Sequence, residues 1–238
     1  MQDVLKKLVD ELRGAAGANL KSVVLYGSKV SGEFHARHSD VNILCVVERG
    51  GAAELAALRP AIAWWMRQGN SAPLVFTEEE LHRAADIFAI ELLDIKAHHR
   101  VLFGEDLFAH LDVPMSLHRA QVERELRTNA LRLRQAVLTA AGGAETHLRL
   151  MTTSISSFAV LFRHALLALG EKPPEDKRSA IARMAALVGA DPKPFETVLD
   201  VRESKLRESQ VDVPATLSGY LALVERVTDE VDRRLAHA

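Results

Sequence analysis

Leu25-Tyr26-Gly27-Ser28, followed by Ser39-Asp40-Val41-Asn42-Ile43-Leu44, is the stretch on which the fold turns. Ser22 to Tyr26 is a short apolar run that Gly27-Ser28 breaks, and Val41 to Val47 is a second run, apolar nearly throughout. An unbroken apolar strand is expected where both faces of a sheet are covered. On a strand, residues i and i+2 point to the same face. Asp40 and Asn42 therefore project side by side, where two carboxylates would hold divalent cations and here the second is an amide.

Outward from this pair, the pattern alternates strand and helix. Residues 2–13 read as a helix with Leu5, Leu8, Val9 and Leu12 on one stripe. Ala53 to Arg67 reads as another, with Leu55, Leu58, Ile62 and Trp65 inward, and the second ring of Trp64-Trp65 at a groove. Pro73 to Thr77 reads as a third strand. Thr77 and Glu80 form a capping box for the helix after it. Phe88 to Ile95 (FAIELLDI) reads as a fourth strand, and 96–103 is ambiguous between helix and strand.

Past about residue 114 the strand signals stop. Five helices follow: Ser116–Ala141, Glu145–Leu169, 176–188, one begun by Asp191-Pro192, and one after Pro214. The expected architecture is α+β: a mixed sheet with flanking helices over 1–113, then an all-α bundle over 114–238.

Composition excludes little but helps. A net charge of −2 gives no support to a nucleic-acid partner. There is no unbroken run of about 18 apolar residues, so no membrane helix is expected. The acidic, amphipathic start MQDVLKKLVDELRG lacks a signal peptide's apolar centre. Cys45, the single cysteine, sits within an apolar strand and reads as an inert buried thiol. A cytoplasmic protein is the expectation.

The chemistry accounts for the spacing. Glycine allows close backbone approach, and its N–H groups with a serine hydroxyl can line an anion site. A paired carboxylate strand beside it suits metal-bound phosphate. With these residues in hand, the chain resembles the DNA polymerase beta-like nucleotidyltransferase superfamily, in its minimal and aminoglycoside branches. The resemblance is carried by Leu25, Tyr26, Gly27, Ser28, Gly32, Glu33, Ser39, Asp40 and Val41-Asn42-Ile43-Leu44, and by IKAHHRVLFGED further on. It covers roughly residues 1–110.

The resemblance implies transfer of a nucleoside monophosphate from a Mg²⁺-bound nucleoside triphosphate to a hydroxyl-bearing acceptor. It places phosphate at Gly27, Ser28, Lys29 and Ser39, and metal at Asp40 and Asn42. Asn42 departs from the family's second Asp and implies weakened catalysis. A third acid is expected as well. If its strand is PLVFT, the position falls near Pro73 or Leu74, which are not acids. If it is FAIELLDI, Glu91 or Asp94 serves, and on a regular strand only one of them faces Asp40. The alternative is a catalytically degenerate nucleotide-binding or interaction module, homodimeric or antitoxin-like. The basic and histidine side chains of the intervening loop (His35, Arg37, His38), like the arginines of the first tail helix, read by default as solvated charges. Adjacent His98-His99 diverge too far to chelate a metal together.

Overall fold

The computed structural model describes residues 2–27, 30 and 41–235. The chain divides into two compact units, residues 1–114 and 115–238.

The first unit is built on a mixed four-stranded sheet. β1 (Leu20–Tyr26) pairs antiparallel with β2 (Asn42–Val47) on one side and with β4 (His99–Gly104) on the other. β3 (Leu74–Thr77) runs parallel to β2, giving the order β3-β2-β1-β4. The pleat sorts β2 into two cores. Val41, Ile43, Cys45 and Val47 join Val23, Leu25 and the buried stripes of α1 (Gln2–Ala16) and α2 (Ala52–Arg67). Leu44 and Val46 join Val24, Leu81, Leu92, Ile95 and Phe108 on the other face, under α3 (Glu78–Ala84) and α4 (Ala89–Ala97). Burial on both faces explains the unbroken apolar run, and it pushes the Cys45 thiol up to about 12, which leaves it inert.

Local signals account for several of these elements. The Thr77–Glu80 capping box forms, with Glu80 N–H donating to Thr77 Oγ1 at 3.2 Å and Thr77 N–H to Glu80 Oε2 at 2.8 Å. Trp65 is fully buried and its Nε1–H donates to Ser71 O at 2.9 Å. Trp64 is half-buried, with the Lys7 ammonium 4.7 Å from its ring centre. Leu55, expected inward, is 44% exposed, and Ala61 takes the inward position instead.

One strand expectation is corrected. FAIELLDI is a helix from Ala89 to Ala97, and the ambiguous segment after it supplies the edge strand β4. Leu, Glu, Ala and Lys dominate 89–97 and favour helix, whereas only Ile90 and Ile95 are β-branched. Ala89, Leu92 and Ile95 then form a helical stripe buried against β1 and β2.

The second unit contains α5 (Met115–Thr139), α6 (Gly143–Ala168), α7 (Lys177–Leu187), α8 (Lys193–Arg202) and α9 (Val213–Leu235). Its centre is aromatic. Phe195 stacks on Tyr220 with centroids 4.0 Å apart and planes 3° from parallel, and Phe158 meets both edge-on. The Tyr220 and Ser154 hydroxyls are 3.0 Å apart. A buried His118–His164 pair, Nε2 to Nδ1 2.9 Å, links α5 to α6. By length and composition α6 meets the test for a membrane-crossing helix, but half of its most apolar stretch is buried inside this unit, which explains that composition.

Candidate functional site

At the end of β1, three residues stand in one cross-strand row: Asn42 and His99 lie opposite Tyr26 on its two sides. Directly opposed residues of antiparallel strands share a face. The row belongs to the face that carries Leu44 and Val46, since Tyr26 packs against that core. Burial pushes the Tyr26 phenol up, so at neutral pH it is a neutral hydroxyl and no base.

Gly27 follows the row with φ +81°, a conformation that glycine adopts without strain. A Cβ added there would lie 3.0 Å from Asn42 Nδ2, so the Asn42 amide faces the glycine directly. The Gly27 N–H, expected to serve an anion, donates to His98 O at 3.3 Å, and Gly27 O accepts from Val30 N–H at 2.8 Å. The turn is thus tied back onto the sheet. Ser28, Lys29, Ser39 and Asp40, the other expected phosphate and metal residues, lie outside the described residues.

Among the described residues none of the four strands carries Asp or Glu: they read LKSVVLY, NILCVV, LVFT and HRVLFG. On β3, Leu74 lies beside Leu44. Glu91 and Asp94 sit on α4, which covers the Asn42 face of the sheet. Three apart on a strand they would diverge, but on a helix they are neighbours on one side. Glu91 is exposed and Asp94 half-buried.

Sequence reading missed Asp106. Its Oδ1 is 2.9 Å from His99 Nε2 and accepts from the N–H groups of Phe108 at 3.1 Å and Ala109 at 3.2 Å. Burial pushes its carboxyl up, but the His99 hydrogen bond and charge, with the two N–H groups, hold it below its ordinary value. An Asp followed closely by two N–H groups is a local turn signal. The histidine is supplied by the tertiary fold.

The fold is nucleotidyltransferase-like. The solved structure of spectinomycin adenyltransferase AAD(9) from Enterococcus faecialis, with ATP and spectinomycin, is similar with a TM-score of 0.56. The likeness covers 95% of this chain and 99% of that one at 16% sequence identity. No family model and no curated protein matches the chain.

The described residues contain no group of three or more His, Cys, Asp or Glu placed to hold a metal ion. At the strand end they supply one neutral amide, Asn42. A cage for two cations needs several anionic oxygens and is not built from these side chains. The Asn42 carboxamide offers one oxygen to a cation but no charge to hold two.

Proposed function

We propose that this chain binds a nucleoside triphosphate at the Gly27–Asn42 end of its sheet. We further propose that it transfers the nucleoside monophosphate, slowly, to a hydroxyl on a small acceptor. The observation carrying this is the placement of Asn42. It faces the Gly27 turn at the strand position where the fold's chemistry calls for a second carboxylate. The nucleotidyltransferase-like fold supports the reading.

Ser28, Lys29 and Ser39 contact phosphate, and Asp40 with Asn42 holds Mg²⁺. When bound, that ion neutralises triphosphate charge and polarises the phosphorus under attack. An acid of α4, Glu91 or Asp94, takes the acceptor's hydroxyl proton. The acceptor oxygen bonds the α-phosphorus as the bond to the β-phosphate breaks, and pyrophosphate leaves. The amide at 42 makes this slow, because it offers an oxygen without charge.

Pyrophosphate release from Mg²⁺-ATP, measured with a panel of hydroxyl-bearing small molecules, tests the reading. Slow acceptor-dependent release is expected in wild type, with loss in Asp40→Asn. A second reading, nucleotide binding without transfer, draws on the absence of acids from the described strands. ATP binding with no release in wild type would select it.

A further inference from the structure

The Gly27 turn is held by a corner whose rigidity comes from another part of the unit. His98 follows α4 with φ −134° and ψ 70°, and its carbonyl receives the Gly27 N–H. His99 opens β4 opposite Tyr26. Its side chain is 13% exposed and is gripped from three directions. Nε2 meets Asp106 Oδ1 at 2.9 Å, Nδ1 meets Lys96 O at 3.2 Å, and the ring lies 5.3 Å from the Phe108 ring, tilted by 44°.

A backbone carbonyl and an ionised carboxylate can only accept. Each His99 ring nitrogen thus stands against an acceptor, Nδ1 against Lys96 O and Nε2 against Asp106 Oδ1. Asp106 is suited to this role, since His99 and two backbone N–H groups favour its ionised form. Lys96 adds a second tie, its Nζ donating to Leu111 O at 2.7 Å. The end of α4, the start of β4 and the 106–111 segment thus converge on one ring.

We propose that His99, clasped by Asp106, is a positioning residue that fixes the 96–99 corner and, through His98 O, the Gly27 turn of the nucleotide site. The proposal rests on the nucleotide-binding reading above. His99 acts through the backbone: the Gly27–His98 hydrogen bond is long at 3.3 Å and depends on where the corner is held. Removing the ring leaves the β1–β4 ladder in place but frees the corner. Residues that orient a ligand site from behind typically cost about 10–100-fold when lost. A loss of about tenfold in ATP affinity is expected here, falling on KM more than on kcat.

The test combines two measurements on the full chain. Amide exchange at Gly27 should quicken about tenfold in a folded His99→Asn variant. ATP should bind that variant about tenfold more weakly, with Asp106→Asn shifting in the same direction and Asp106→Glu recovering part of the loss. Unchanged Gly27 exchange in folded His99→Asn overturns the proposal. If that variant does not fold, Asp106→Asn takes its place, since the Asp106 side chain is 44% exposed. If wild type binds no ATP, the nucleotide reading fails, and the role assigned to His99 at that site falls with it. The exchange data then decide separately whether the clasp itself exists.

Discussion

Asn42→Asp should raise Mg²⁺-dependent pyrophosphate release about 10–100-fold over wild type, taking as a floor the range for outer-shell changes at metal sites. The substitution keeps the shape of the side chain and exchanges the amide nitrogen for a charged oxygen. At 4 Å from a unit positive charge, a new negative charge contributes up to about 4 kcal/mol under an effective dielectric near 20, before desolvation is subtracted. Position 42 opens β2 opposite Tyr26, with its nitrogen facing Gly27, so the new carboxylate needs no backbone change to face that turn. A half-buried carboxylate at 42 costs desolvation, which bound Mg²⁺ offsets. The variant should melt below wild type without Mg²⁺ and recover on adding it, because an ion bound only to the folded state stabilises it. A coupled pyrophosphate assay measures the rate, and unchanged turnover would show that charge at 42 is not what limits it.

Gly104→Ala should cost the first unit at least about 3 kcal/mol. Gly104 ends β4 at φ +79°, a region where an L side chain is strained by roughly 1–3 kcal/mol. An added Cβ would also overlap the Lys21 carbonyl oxygen, and it would lie 2.8 Å from Lys21 C and 3.0 Å from Ser22 Cα. These neighbours are backbone atoms of β1, so no side chain can swing aside. The pairing is already irregular nearby, with a register shift between Val23 and Val24. Buried Ser22 stitches it, its Oγ 3.2 Å from Phe103 O and 2.8 Å from Glu105 O, either side of Gly104. Forcing the strands apart breaks this stitch as well as ladder bonds, each worth about 1 kcal/mol. Urea denaturation followed by circular dichroism measures the loss, and a change below about 1 kcal/mol would contradict the account.

What could be read from the sequence was what is local. β1 and β2 were legible because both are apolar runs closed by glycine, and the Thr77 cap because its two partners are three residues apart. FAIELLDI misled because a short apolar run fits a buried strand and a buried helix alike. The error carried chemical weight. Glu91 and Asp94 point opposite ways on a strand but share a side of α4. β4 was obscure because it is an edge strand of half-buried and exposed residues without clean alternation. The spending of the Gly27 N–H on His98 O, and the meeting of His99 with Asp106, depend on how β4 folds against β1, which no spacing in the chain announces.

The central claim is that this nucleotidyltransferase-like fold keeps a nucleotide site whose metal affinity is limited by the amide at 42. Calorimetric titration of ATP into wild type and Asn42→Asp, each with and without Mg²⁺, tests it most directly. The account predicts weak binding in wild type that Mg²⁺ strengthens, and a clearly larger Mg²⁺ effect in the variant. Binding that is absent from both proteins, or that is indifferent to Mg²⁺ in both, would contradict it.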